Sequence, residues 1–345
     1  MIDEDFSLKL IKWYQINKRD LPWRKTKNPY KIWISEIILQ QTRVLQGLPY
    51  YKRFIEKFPD VKSLAQADQE EVLKMWQGLG YYSRARNLHF TAKYISNELK
   101  GIFPNSFNEL IQLKGIGEYT ASAIASFAFN ERKAVLDGNV FRLLSRYFGL
   151  KDPIDSSNGK KAFKKLANQN LPKINFSVYN QAVMEYGALL CKPSIPKCEI
   201  CDLKNKCWAY RNTNQNKFPV KLKKIKVKER YFNYLVLTDK QYILIEKRTE
   251  KDIWQNLYQF PLFEAESIEF QFSKKITKNN LLINKFKTTH KLSHQKLNIV
   301  FWHFQSKKIK DNLKFKKIYI KDLSSYPIPK IVENYIIQNT SFFRL

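Results

Sequence analysis

Acidic side chains are scarce in this 345-residue chain: 31 Asp and Glu stand against 61 Lys and Arg, a formal net charge of +30. Glycine is scarcer still, at 10 residues, which excludes collagen-like and glycine-rich low-complexity chains. Long apolar runs are missing, and none approaches the ~18–20 residues that a helix needs to span a bilayer. The first residues, MIDEDFS, are acidic and lack the basic-then-apolar layout of a secretion signal. An intracellular, cytoplasmic protein with no membrane partner is expected. Cysteine is absent outside one segment: Cys191, Cys198, Cys201 and Cys207 all fall within 17 residues. Intracellular chains do not normally pair cysteines as disulfides, so a clustered set reads as a metal site.

What is present argues for folded domains. Hydrophobic residues make up 44% of the chain and aromatics 14%, too much for intrinsic disorder. The length suggests two domains. The charge suggests a polyanionic partner. However, 48 of the 61 basic residues are lysines in a chain also rich in Asn and Ile, so compositional bias accounts for part of the excess. The arginines are more informative, because their planar fork matches phosphate, and nine of the 13 lie between Arg19 and Arg146. Residues 1–218 hold 35 basic and 20 acidic side chains and residues 219–345 hold 26 and 11, a net +15 in each, so both parts are suited to one polyanion.

Residues 6–190 read as consecutive helices, with apolar residues at helical spacing in DFSLKLIKWYQ, WISEIILQQTRVLQ and EEVLKMWQGL. The segment 107–129 reads as a helix, an LKGIG turn and a helix of small residues. DGNVFRLLSRYFG starts a further helix with Asp137 placed as its N-cap. Residues 208–230 are polar and basic without apolar periodicity, as in a linker. Beyond them YFNYLVLT and QYILIEKR flank a turn at Asp239–Lys240 and suggest a hairpin. KLNIVFWHFQ suggests a strand and PKIVENYII a helix, so this part is α+β. Residues 72–90 weakly echo 107–126.

Two motifs carry chemistry. Gly115 and Gly117 precede a helix N-terminus, where exposed backbone N–H groups can bind phosphate. A tight corner between helices would have the same residues, but the flanking helices resemble a helix-hairpin-helix DNA-binding motif. The cysteine spacing C-x6-C-x2-C-x5-C has one C-x2-C where a zinc ribbon usually has two. Four thiolates suit a 4Fe-4S cluster as well, with zinc the structural alternative.

With RDLPWR at 19–24, SEIILQQTRV at 35–44, GLGYYSRARNL at 78–88, LKGIGEYTA at 113–121, VLDGNVFRLLSR at 135–146 and the cysteine loop, the chain resembles adenine DNA glycosylases of the MutY type over nearly its full length. These belong to the helix-hairpin-helix DNA glycosylase superfamily with an iron–sulfur cluster. The resemblance implies an all-helical helix-hairpin-helix glycosylase domain at 1–210 with a 4Fe-4S cluster loop at 191–207. It further implies a basic linker at 211–230 and a Nudix-like α+β domain at 231–345. It implies a monomer acting with the nucleoid on double-stranded DNA that holds A·8-oxoguanine or A·G mispairs, and hydrolytic release of the adenine.

Each site residue follows from its motif. Glu36 matches the acid that protonates adenine at N7, and its apolar surroundings in WISEIILQ would raise its pKa. Asp137 matches the second carboxylate, which stabilises the sugar cation or attacks C1′, and Tyr119 and Asn139 match residues that support it and the water. Trp23 and Leu39 match walls of the adenine pocket, Arg24 and Gln181 its polar contacts, and Arg19 a positioning group. Gln41 and Tyr81 match residues inserted into the DNA stack. Gly115, Gly117, Lys192 and Lys197 match backbone contacts, and Cys191, Cys198, Cys201 and Cys207 the cluster ligands. A similar family, endonuclease III, carries lysine where Tyr119 stands. Tyrosine cannot form a Schiff base, so little or no β-lyase activity is expected, with nearby Lys114 the one amine that could supply some. In the Nudix-like part the cues are KRTEKDIWQNLYQFP and HKLSHQKL. Ser293 and His294 match a loop that reads 8-oxoguanine, although the family's preceding aromatic is Leu292 here. No glycine-plus-glutamate Nudix box is present between 231 and 345, so nucleotide hydrolysis is not expected. The alternatives in view are an endonuclease III-like lyase and a DNA-binding module without catalysis.

Overall fold

A computed structural model describes residues 3–222, 226–267, 269–278, 280–310 and 314–343. The chain forms two compact units that do not follow chain order: residues 1–65 with 90–223, and residues 66–89 with 224–345.

The first unit is helical. It holds α1 (Glu4–Asn17), α2 (Pro29–Leu39), α3 (Val44–Lys57) and nearly all of α4 (Val61–Gln66). Helices α5 (Gln69–Met75) and the start of α6 (Ser83–Asn97) belong to the second unit. The first unit resumes with the rest of α6 and with α7 (Phe107–Leu110), α8 (Glu118–Phe127), α9 (Gly138–Phe148), α10 (Ser157–Gln169), α11 (Phe176–Leu189) and α12 (Trp208–Arg211). Helix α2 starts on an Asn28 cap with Pro29 in its first turn, and from Ile32 to Ile38 every side chain is buried. A helix apolar all round belongs in the middle of a bundle, and this places Glu36 inside. Helix α8 is its neighbour, and its Ala121, Ser122, Ala123, Ala125 and Ser126 let the two axes approach closely. A second cluster joins α1, α9, α10 and α11 through Phe6, Leu10, Leu143, Leu144, Phe163 and Tyr186, and reaches the cysteines. The helix expected before the LKGIG turn is a single turn, α7, because Gln112 to Gly117 are already turning.

The second unit is built on a mixed sheet of β1 (Lys228–Thr238), β2 (Tyr242–Lys247), β3 (Tyr258–Gln259), β4 (Leu262–Ala265), β5 (Asn280–Lys291), β6 (Gln295–Ser306) and β7 (Lys316–Tyr319). The order is β3-β2-β1-β6-β5, with β4 on β1 and β7 on β2. The hairpin at Asp239–Lys240 forms as read, and Thr238 pairs with Ile243. Strands β1 and β6 run parallel in register from Lys228↔Gln295 to Thr238↔Gln305. Short helix α13 (Lys274–Thr277) precedes β5; α14 (Lys330–Gln338) and α15 (Thr340–Phe343) end the unit. Tyr335 of α14 stacks on Phe301 with ring centres 4.1 Å apart, and Phe232, Tyr234 and Phe260 complete an aromatic core. Within the basic stretch 211–230, residues 223–225 lie outside the described residues. Val220 accepts from Ile154 N, and Leu222 N donates to Asp155, so this end is tied to the first unit, and β1 has begun by Lys228.

Gly187 shows how α9 and α11 meet. A Cβ there would lie 2.8 Å from Asn139 Cβ and 2.9 Å from Asn139 O, closer than packed atoms tolerate. Gly187→Ala therefore pushes on the first turn of α9, and overpacking of this kind costs about 1–3 kcal/mol. The expected result is a lower urea midpoint together with slower base release. An unchanged midpoint would mean that the contact is not there.

Candidate active site

One pocket of about 150 Å³ in the helical unit is lined by Glu36, Asp137, Tyr119, Asn139, Trp23, Arg24, Arg19, Leu39 and Gln181. The nine residues that the resemblance marks as catalytic or base-contacting, eight from four motifs together with Gln181, therefore line one pocket. Glu36 comes from the buried centre of α2. Tyr119 comes from the first turn of α8 and donates its hydroxyl hydrogen to Glu36 Oε2 at 2.5 Å. Burial pushes the Glu36 carboxyl up to about 7. The Tyr119 bond and the Arg24 charge oppose that rise, while the Asp137 charge adds to it. At neutral pH Glu36 is thus divided between acid and carboxylate, as a proton donor must be.

Asp137 is the N-cap of α9. Its Oδ1 accepts from the backbone N–H of Asn139 at 2.9 Å and of Val140 at 2.8 Å, and its Oδ2 accepts from Asn139 Nδ2 at 2.6 Å. Burial raises its pKa, while these hydrogen bonds hold the anion. Asn139 is fixed in turn, because its Oδ1 accepts from Arg142 Nη2 at 2.9 Å. The pocket therefore contains one carboxyl that keeps a proton easily and one whose anion is solvated by a helix terminus.

The residue missed in the sequence is Glu185. It lies one turn beyond Gln181 on α11, and its side chain is 1% exposed. Arg19 donates to it from its backbone N–H, from Nε at 2.8 Å and from Nη2 at 2.5 Å; Arg24 donates from Nη1 at 2.9 Å and Nη2 at 2.7 Å. Burial alone would raise Glu185, but these bonds outweigh it and hold the group down at about 2. Both arginines are thereby oriented along the pocket wall. Tyr14 completes the group: its hydroxyl donates to Gln181 Oε1 at 2.6 Å, and the Arg24 guanidinium lies 5.4 Å from its ring centre. The i, i+4 spacing of Gln181 and Glu185 was the signal available in the sequence. Trp23 packs edge-on to Tyr51 in the pocket wall. No lysine lines this pocket among the described residues; Lys114 Nζ lies 4.2 Å from the Phe90 ring centre and faces a separate groove.

The other predicted residues are not in the pocket. Gln41 is exposed just after α2, with φ 56°. Gly115 (φ 82°) and Gly117 are exposed around buried Ile116 at the start of α8. Gly117 has an ordinary φ of −91°, and a Cβ there would meet nothing. The same is true of Gly138, beside Asp137, so nothing inside the fold requires glycine at either position. In the second unit, Tyr81 is 41% exposed with φ 47° and shares a short hydrogen bond with Ser293. Tyr81, Leu292, Ser293 and His294 line one open pocket with Trp254. Gln41 and Tyr81 are non-glycine residues in the left-handed region, a local strain that clusters at functional sites.

The four cysteines line one small pocket with Arg146. Arg146 Nη1 donates to Cys191 Sγ at 3.4 Å, and the Tyr186 hydroxyl donates to Cys201 Sγ at 3.2 Å. Burial raises the Cys198 and Cys201 thiols and pushes Cys207 up to about 11. Arg146, itself 2% exposed, also donates to the carbonyls of Lys192, Pro193 and Gln215, so it shapes the loop that exposes Lys192 and Lys197. Among the described residues, no three His, Cys, Asp or Glu side chains converge so as to hold a single metal ion, and no helix is long and apolar enough to cross a membrane.

Known proteins resemble both units. Residues 34–169 match the HhH-GPD superfamily of base excision DNA repair proteins, and residues 233–338 match the NUDIX domain. The chain is 41% identical to the adenine DNA glycosylase of Buchnera aphidicola subsp. Schizaphis graminum (strain Sg), over 86% of each chain. It is 37% identical to that of Buchnera aphidicola subsp. Acyrthosiphon pisum (strain APS), over 96% of this chain and 97% of the relative. Among solved structures, a thermostable thymine-DNA glycosylase superimposes with a TM-score of 0.56 at 29% identity, over 60% of this chain and 96% of that one. Likeness of this extent to the curated relatives places the chain in the adenine DNA glycosylase family.

Proposed function

We propose that this protein removes adenine from A·8-oxoguanine or A·G mispairs in duplex DNA, with Glu36 as the acid and Asp137 as the anion. The observation that carries this reading is the pair itself: Glu36 and Asp137 face one pocket, the first buried on α2 with its carboxyl pushed up to about 7, the second bonded at both oxygens by the N–H groups and the Asn139 amide at the start of α9. The base must first leave the stack, at a cost of a few kcal/mol. The strained Gln41 and Tyr81 are placed on exposed turns suited to fill the gap. Trp23 and Leu39 would wall the extruded adenine, with Arg19, Arg24 and Gln181 offering polar groups along its edge. Glu36 gives its proton to adenine N7, and the electron pair of the C1′–N9 bond leaves with the base. The sugar cation is stabilised by the Asp137 carboxylate or captured by it at C1′. Water then adds to C1′; where the Asp137 ester has formed, the C1′–O bond breaks and its electron pair returns to the Asp137 carboxylate. The water's proton goes to a carboxylate. Tyr119 holds Glu36 in position and provides no amine for a Schiff base, so the strand stays intact. Gly115 and Gly117, with Lys192 and Lys197, offer backbone N–H groups and ammonium charges to phosphates.

The four cysteines that line one pocket match in number the thiolates of a 4Fe-4S cluster, and their single C-x2-C is one short of the two usual in a zinc ribbon. Cys191, Cys198, Cys201 and Cys207 would hold the cluster, which would cross-link the loop rather than take part in base removal. Arg146 and the Tyr186 hydroxyl donate to the sulfurs of Cys191 and Cys201, outer contacts of the kind that orient cluster ligands.

Four measurements test these readings. Single-turnover adenine release should fall about tenfold per pH unit above about 7, where Glu36 has lost its proton, and also at the acid end, where Asp137 gains one. Glu36→Gln should lose about 10²–10⁴-fold in rate; a wild-type rate in that variant would leave the chemistry without its acid. On an A·8-oxoguanine duplex the product should be an intact abasic strand that breaks only after alkali. Scission without alkali would point instead to an endonuclease III-like lyase. Purified protein should be yellow-brown and contain iron, and Cys201→Ser should lose the colour and lower the thermal midpoint. A colourless zinc protein would reverse the metal assignment.

A further inference from the structure

The turn that carries Tyr81 is fastened to the sheet unit by side chains to which the reading above gives no role. Residues 66–89 pack with residues 224–345 as one compact body. Within the turn, Gly78 and Gly80 have φ of 94° and 74°. Trp76 Nε1 and Arg84 Nη2 both donate to Gly80 O at 3.2 Å, and the Gly78 N–H donates to the Tyr82 hydroxyl at 3.3 Å. Trp76 is fully buried. The turn is therefore stiff, and where it sits on the sheet unit depends on what holds its base.

The base is Gln77. Its Nε2 donates to Glu333 Oε1 on α14 at 2.8 Å, and its Oε1 accepts from Ile328 N at 3.2 Å and from Lys74 Nζ at 3.1 Å. Lys74 Nζ also donates to Tyr326 O at 3.1 Å. A glutamine bonded at both ends of its amide is fixed in direction as well as in place. Four residues further on, Tyr81 meets Ser293.

We propose that Gln77 is a positioning residue for opposite-base recognition: by gripping α14 and the Ile328 backbone it sets Tyr81 against Ser293 at the pocket they share. Gln77 lines neither that pocket nor the adenine pocket. The proposal rests on the reading of Tyr81 and Ser293 as the opposite-base contacts. On that basis Gln77 governs the preference between two duplexes rather than the cleavage chemistry.

The test uses the full-length protein and two duplexes, with adenine opposite 8-oxoguanine and opposite guanine. Limiting rate and half-saturating concentration are measured for each under single turnover. Gln77→Ala should reduce the preference for the 8-oxoguanine duplex about tenfold, the size of one lost hydrogen bond to a charged group, with the change in the half-saturation ratio. Gln77→Glu sets a carboxylate against Glu333 and should reduce the preference at least as much. Adding Glu333→Gln to Gln77→Glu restores a donor and an acceptor in reversed order and should recover it to within about twofold. Thermal midpoints separate this from a loss of fold, since recovery in the paired variant requires the contact itself. A paired variant no better than Gln77→Glu alone would overturn the proposal. Tyr81→Ala separates the two levels. If it keeps the full preference, the reading of Tyr81 fails and the proposal falls with it. If it loses the preference while every Gln77 variant behaves as wild type, the proposal alone fails.

Discussion

Burying a carboxyl group in a protein interior requires that its charge be matched or removed. The helical unit does this three times in one pocket, in three ways. Glu185 is matched by two guanidinium groups and stays an anion far below neutral pH. Asp137 is matched by the N–H groups at the start of α9 and by the Asn139 amide. Glu36 has only a tyrosine hydroxyl and the more distant Arg24 charge, which do not offset its burial, so it holds a proton more readily than an ordinary carboxyl. The difference between these neighbours follows from position: α2 is buried all round, whereas α9 presents its first turn to the pocket. Charge separation within the site is in this sense a product of helix packing.

Helix α9 extends that organisation to the cysteine loop. Arg142, on the turn after Asp137, donates to Asn139 Oδ1, Gly187 O and Cys191 O. Arg146, one turn further, donates to Cys191 Sγ and to the carbonyls of Lys192 and Pro193. A single helix thus carries the carboxylate at its N-terminus and two buried arginines that shape the loop bearing the exposed lysines. Guanidinium suits this better than ammonium would, because its fixed fork reaches several carbonyls at once.

Local spacing explains what could be read from the chain. The N-cap at Asp137, the apolar frame of Glu36, the glycine turn at 115–117 and the cysteine cluster are each contained in 17 residues or fewer, and each stands where the spacing put it. The hairpin at Asp239–Lys240 was legible for the same reason. Long-range partnerships were not. Glu185 has its role only because Arg19 and Arg24, more than 160 positions earlier, fold against it. Strand β5 was hidden because the face opposite its exposed Lys285, Lys287 and Lys291 carries Asn284, Thr288 and His290 beside Phe286, so the sequence shows little apolar alternation. The grouping of residues 66–89 with the sheet unit depends on polar side chains such as Gln69, Glu70 and Gln77, whose partners lie beyond residue 246. No periodicity reports such contacts.

Gly117 and Gly138 differ in kind from Gly187. Gly187 is excluded from bearing a side chain by Asn139, an internal neighbour. At the other two the backbone is ordinary and the space beside it is empty, so a methyl group would leave the isolated protein as comfortable as before. Their bareness leaves open space at the surface, beside the start of α8 and beside Asp137, where atoms of another molecule can approach the backbone as closely as the protein's own atoms do at Gly187.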